Sequence, residues 1–526
     1  MTIQQLPERP NLEQLKKQAK SLLASARARH PSALARFRAL PSLAAKSDAE
    51  LGGLTLALHD AQSVVAREHG FPSWSALRER VEELTLQFAD AVAEFARGSV
   101  DRRLARAERL LELRPQLVAT DFHAALVFGD LPAVTAHLAG NPTLATRKGG
   151  PLPWEPLLYV AHSHWAGKNS TGLVAVARVL LERGADPNTT YPWQGDPKQP
   201  LPALWAAACH ARHPALAEVL LAAGARPDDG ESAYHAAENG DLAMLDLLAT
   251  HGAQADGGAD AGPWGNTPLY FILGHYAGLA HDADVRRGAA WLLAHGANPN
   301  RVCYPRKSAE TPLHAAARHW DDPMIELLVA HGADINTRRA DGRTALTLAE
   351  LNGRTSAAAA LRAHGATEEL SPEDRFIAAC MRGDRAGALR LRDPAFVAAH
   401  AQAFLECGTA AIETMLACGF DVATTGGMGE TKLHWAAFTG SLPAVRVLLA
   451  HGASASARDK SYETPPLTWC FYASLNQRSP QADFPGVARA LLEAGSPLED
   501  GEPNASDDVL EVVAEFRRTK PPPSRV

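Results

Sequence analysis

Seven residues of this 526-residue chain stand out as candidates for proton transfer: His162, His164, His210, His235, Glu238, His275 and His319. An imidazole beside a carboxylate moves protons near neutral pH, and converging imidazoles can also hold a transition metal. Asp321, Asp322 and Glu350 lie close to the same histidines in sequence and are further candidates for acid–base pairs. Motifs for other chemistries are missing. The sequence has no His-Glu-x-x-His run, no Gly-x-Ser-x-Gly elbow, no glycine-rich phosphate loop and no kinase signature. His275 and His319 would sit on neighbouring helices close enough to share an ion, but His210 would lie too far along the chain, so no metal and no cofactor is assigned.

The elements that position these residues repeat. Gly-Ala pairs begin at 184, 224, 252, 296, 332, 365 and 452, each after a leucine-rich stretch such as "IELLVAHGADIN". Thirty-three residues separate Gly332 from Gly365. In "TPLHAAARHW", Thr311 is placed to cap a helix and Pro312 to occupy its first turn, where a missing N–H costs nothing. Ala315, Ala316 and Ala317 permit close helix approach; Ile325, Leu327 and Leu328 supply a buried face on the second helix. Gly332 then ends that helix in the left-handed conformation.

These residues resemble the ankyrin repeat, most closely at "TPLHAAARHWDDPMIELLVAHGADIN" and "TKLHWAAFTGSLPAVRVLLAHGASA". The resemblance implies an all-α solenoid of about twelve helix pairs over residues 88–500, with a groove lined by first helices and hairpin turns. It also implies that His314 and His434 brace turns locally. Three spacings between the glycines are longer, at 40, 44 and 43 residues, because of insertions near "WAGKNSTG", "AGLAHDADVRRG" and "ASLNQRSPQADFPG". Five histidines precede a glycine at helix ends (251, 295, 331, 364 and 451), where the helix dipole favours a cation.

When the first helices are overlaid, His210, His275 and His319 share one position near the helix end, His162 and His164 flank it, and Asn239 fills it once. A second row follows the motif histidine by one residue: Tyr159, Ala206, His235, Phe271, Ala315, Leu348, Trp435 and Trp469. The family resemblance turns this position towards the groove. Trp165 and Trp320 stand beside the histidine row, and Trp154, Trp193 and Trp264 fall in hairpin segments.

Residues 1–87 have no such repeat. "NLEQLKKQAKSLLASARARH" reads as an amphipathic helix capped by Asn11, and Gly70 and Pro72 break a later helical stretch that restarts at Ser73. The region resembles the helical leader of some bacterial multi-ankyrin proteins, and as a terminal unit it is expected to cap the first apolar face of the array. Residues 501–526 read as a capping helix and a disordered proline-rich tail.

Acids exceed bases, 59 to 52, giving a net charge of −7 and no field to attract duplex nucleic acid. The amino terminus has no signal-peptide core, no apolar run is long enough to cross a bilayer, and six cysteines fall singly, so a soluble cytoplasmic protein with reduced thiols is expected. Two readings remain. One is a scaffold whose aromatic- and histidine-rich groove (Tyr159, His162, His164, Trp165, His210, His235, Glu238, His275, His319, Trp320, Trp435, Trp469) holds a protein or peptide. The other is an enzyme or small-molecule receptor using the same histidines and carboxylates as an acid–base pocket.

Overall fold

The computed structural model describes residues 4–7, 10–101, 104–193, 196–257, 265–274, 282–304, 307–367, 369–476, 481–498 and 503–519. The chain divides into two compact units, one of residues 86–369 and the other of residues 1–85 with 370–526. The first unit holds eight described helix pairs, from Phe88–Val100 with Leu104–Leu113 to Ala345–Leu351 with Thr355–Ala363. The second holds four more between Pro372–Met381 and Phe484–Glu493, then a closing helix, Asp507–Thr519. Within each unit, first helices pack on first helices and second on second, as Pro312–His319 does on Ala345–Leu351 and Asp322–Ala330 on Thr355–Ala363. This is an all-α repeat solenoid, as the sequence predicts.

The pair built from "TPLHAAARHW" shows the local reasons. Thr311 has extended backbone and precedes the helix Pro312–His319. Its amide donates to His314 Nδ1 at 3.1 Å and its hydroxyl lies 2.8 Å from the same nitrogen. The hydroxyl thus engages the imidazole, where a backbone amide is the usual partner. Thr431 and His434 repeat the arrangement at 3.1 and 2.9 Å. Both imidazoles are buried, and burial pushes their pKa below the ordinary value, which keeps them neutral and able to accept. Ala315, Ala316 and Ala317 are fully enclosed.

Two of the insertions lengthen helices. The first produces Ala166–Glu182, with non-helical backbone at Asn169, whose Nδ2 donates to Phe128 O at 2.7 Å. The third lengthens a first helix to Pro466–Asn476, ahead of residues outside the description. One hairpin departs from the all-helical reading: Thr190–Trp193 pairs antiparallel with Asp196–Pro202.

The head has its own core, with Leu22, Phe37, Val64 and Leu77 buried together. Asn11 caps Leu12–Arg27 by accepting from Glu13 N and Gln14 N, and Ser73 Oγ accepts from Ala76 N at the start of Trp74–Thr85. The head belongs to the same compact unit as residues 370–526, and its residues line a pocket together with the closing helix. The proline-rich tail, residues 520–526, lies outside the described residues.

Among the described residues, the closest backbone approach that depends on a glycine is at Gly288, in Asp282–Ala294. A Cβ there would stand 1.9 Å from Ala237 O on a neighbouring first helix. Gly288→Ala is therefore expected to force the helices apart and cost about 1–3 kcal/mol, typical of overpacking. Thermal denaturation checks this; an unchanged Tm would mean the packing yields without strain.

Candidate functional site

Four residues assigned to the groove lie in the core: His162, described below, and three larger rings. Tyr159 is fully buried; its hydroxyl donates to Leu152 O at 2.6 Å and accepts from Leu152 N at 2.8 Å, so it braces the preceding hairpin. Burial pushes its hydroxyl up to about 12. Trp165 is wedged against Phe95 and Phe128, with Nε1 donating to Ser99 Oγ at 2.8 Å. Trp320 is 1% exposed, donates to Leu273 O at 3.2 Å and carries the Arg286 guanidinium over its ring. Large rings at these positions fill the space between neighbouring helices, so none of the three is available to a partner.

Three of the predicted histidines assemble directly, and Trp205 lies between one of them, His210, and His235. His162 ends Pro156–Ala161 and is buried among Trp154, Tyr191 and His210, with ring centroids 4.6, 4.9 and 5.3 Å away. Its Nδ1 donates to Leu158 O at 2.9 Å, and burial pushes its pKa down to about 3, so the ring is neutral. Its Nε2 is enclosed with no hydrogen-bond partner, as is the Nε1 of nearby Trp205. His164 and His210 are half-buried and meet Nε2 to Nε2 at 3.2 Å, while His210 Nε2 also lies 2.8 Å from Val100 O. The Val100 carbonyl requires a proton on His210 Nε2, which makes His164 Nε2 the acceptor in that pair.

His235 differs from the others. Its Nδ1 is 2.8 Å from Glu238 and its Nε2 3.5 Å from Glu231. Burial alone would lower its pKa, but hydrogen bonds and charge from Glu231 and Glu238 outweigh burial and raise it to about 9. His235 is therefore an imidazolium at neutral pH, set edge-on to Trp205 and Phe271 at 5.8 and 5.3 Å. Glu231 is the missed member; its place four residues before His235 on one helix face was the available signal. His319 is half-buried at the last turn of its helix, and His275 lies outside the described residues. Among the described residues no three His, Cys, Asp or Glu side chains are placed to hold a metal ion.

Arg318, beside His319, has a structural partner. It joins Arg339 and the Tyr270 hydroxyl around the buried Glu310 carboxylate, tying two repeats together. The histidines before Gly-Ala likewise serve their helix ends: those at 295, 331 and 451 meet the carbonyl four residues back at 2.8, 2.9 and 2.9 Å.

The surface aromatics gather in the other unit. Trp435 and Trp469 are half-buried, 5.4 Å apart and nearly perpendicular. Phe438 packs on both at 5.9 Å, and Tyr472, 59% exposed, stacks on Phe438 at 6.4 Å. Leu475 extends the stripe, and Tyr462 and Met428 are exposed on the adjacent hairpins. The rings are too close together to enclose a cation, so the cluster presents a continuous surface. Phe438 and Tyr472 stand three residues beyond the two tryptophans, a helical spacing that could have found them. Asp459 fixes the cluster from below, accepting from Tyr462 N at 2.6 Å, Thr464 Oγ1 at 2.7 Å and Trp469 Nε1 at 3.2 Å. Burial would raise the Asp459 carboxyl, but these bonds outweigh it and hold the group far below the usual range.

Family models for ankyrin repeats match residues 275–371, as three copies, and residues 428–460. The chain carries ankyrin repeats. Such repeats are generally scaffolds for protein–protein interaction. The ankyrin chain is 39% identical over 67 residues to the ARF GTPase-activating protein Git of Drosophila melanogaster, covering 13% of its own length and only 9% of that relative's. It is also similar to the human ASB11 ankyrin repeat domain, at 24% identity over 48% of this chain and all of that one, with a TM-score of 0.35. Among the described residues no helix is long and apolar enough to cross a membrane.

The His235 clamp has a pH signature. Because its folded pKa is raised from 6.5 to about 9, its stabilisation is complete below 6.5 and lost as pH rises through 9. His235→Gln is expected to lower Tm at pH 6 and to flatten the decline between pH 6.5 and 9; calorimetry across that range checks it. Equal pH slopes for the two proteins would rule the clamp out as the source.

Proposed function

We propose that this ankyrin chain is a scaffold that holds a protein or peptide partner, with the stripe of Trp435, Phe438, Trp469, Tyr472 and Leu475 as its main contact. The observation behind this is the exposure of Tyr472, stacked on a ring that is itself packed on two half-buried tryptophans. Large rigid rings lose little conformational entropy on binding and recur as the energetic centres of protein interfaces. Asp459 holds Trp469 in place beforehand, which lowers the ordering cost of association. His164, His210 and His235 belong to a second, more polar region in the other unit.

The reading as an enzyme or small-molecule receptor draws on a different observation, the imidazolium of His235 bonded to Glu238 beside two enclosed and unpartnered ring nitrogens. The groove roles expected of Tyr159, Trp165 and Trp320 in the scaffold reading are withdrawn with their burial.

Native mass spectrometry of the protein recovered gently from its own cells separates the two. The scaffold predicts a co-purifying species of several kilodaltons that Tyr472→Ala depletes by about tenfold while Tm stays within a degree or two, the behaviour of an exposed interface anchor. A retained mass of a few hundred daltons, unaffected by that substitution, would move the assignment to the histidine region.

A further inference from the structure

His164 and His210 come from different helix pairs and meet at the end of a third element, the helix Phe88–Val100. Its last two carbonyls hold them there: Ser99 O accepts from the backbone N–H of His164 at 2.9 Å, and Val100 O lies 2.8 Å from His210 Nε2. The C-terminal end of a helix of 13 residues carries partial negative charge, so this meeting point favours a cation. The imidazolium of His235 stands on the far side of Trp205, which packs on His210 at 5.7 Å and on His235 at 5.8 Å, and that charge is answered by Glu231 and Glu238.

The backbone that delivers His210 is unusual. Ala211 N donates to Ala206 O, five residues back, at 2.8 Å, so residues Ala206–His210 form a π-helical turn, a rare feature that recurs at functional sites. Arg212 follows with a φ of 50°, a left-handed conformation that glycine takes at the equivalent positions, Gly240 and Gly440, with φ of 59° and 68°. Each of the three precedes the cap of a second helix. An arginine in that conformation carries strain that a glycine avoids.

Two imidazole nitrogens bound to one zinc ion at about 2.0–2.1 Å, at the tetrahedral angle, stand about 3.3 Å apart. The Nε2 atoms of His164 and His210 are 3.2 Å apart. We propose that this pair binds a divalent late first-row transition ion through its two Nε2 atoms, independently of the scaffold function proposed above. No third His, Cys, Asp or Glu side chain among the described residues completes the set, so waters fill the remaining positions. As the ion binds, the proton on His210 Nε2 passes to Nδ1 of the same ring, which stays neutral. Val100 O then accepts from a metal-bound water in place of the imidazole. Imidazole ligands select zinc, copper and nickel, whereas magnesium and calcium require oxygen.

Isothermal titration and thermal shift of the full, chelator-treated chain with zinc chloride test this, together with electron paramagnetic resonance of the chain with one equivalent of copper(II). Zinc is expected to bind and raise Tm, and magnesium to do neither. The copper spectrum is expected to show coupling to two imidazole nitrogens. His164→Gln and His210→Gln should each weaken zinc binding by about tenfold or more and leave one coupled nitrogen, whereas His331→Gln, at an exposed helix end, changes neither. The parent spectrum reports the ligands directly, so the test holds even where a variant is less stable. The proposal is overturned if submillimolar zinc gives neither heat nor a Tm shift, if both variants bind zinc as the parent does, which would place the ion elsewhere, or if copper couples to fewer than two imidazoles.

Discussion

Each repeat depends on how closely its first helix approaches the next, and small residues set that distance. Ala206 to Ala208, Ala236 and Ala237, Ala315 to Ala317, and Ala436 and Ala437 are all buried along successive first helices. Where a second helix must come nearer still, at Gly288 over the Ala237 carbonyl, even alanine has no room. A helix pair has two apolar faces and can cover neither alone, so this spacing links every pair to its neighbours.

The same constraint decides which polar and aromatic groups reach the surface. A large ring near the end of a first helix is drawn into the seam between pairs when space exists there, as Trp165 and Trp320 are, and each then finds an acceptor for its indole N–H. Around Trp435 and Trp469 the neighbouring helices carry further rings, and Tyr472, stacked on Phe438 outside that pair, remains 59% exposed.

Much of the fold was legible in the sequence because its signals are local. The Gly-Ala punctuation, the Thr and Asn caps and the alanine runs each report on a few neighbouring residues, and helix pairs stand where those signals place them. The site was less legible because it depends on distances across repeats. Overlaying first helices did bring His164 and His210 together, at 3.2 Å. It could not show that Tyr159 would turn its hydroxyl into a hairpin, or that His162 would be sealed and neutral while His235 is held charged. The two imidazoles take opposite protonation states because only His235 has two carboxylates beside it.

The grouping of residues 1–85 with 370–526 also bears on how the chain is made. The head has a core of its own, so it can close before the rest of the chain is made, but the helix that lines a pocket with it ends more than four hundred residues later. At common rates of translation that interval is roughly 20 to 90 seconds, long on the timescale of helix-pair folding. Until then the wall of Leu58–Glu68 lacks that helix against it, while residues 86–369 can stack in order. The polar character of that wall suits a surface that must wait in water for its partner.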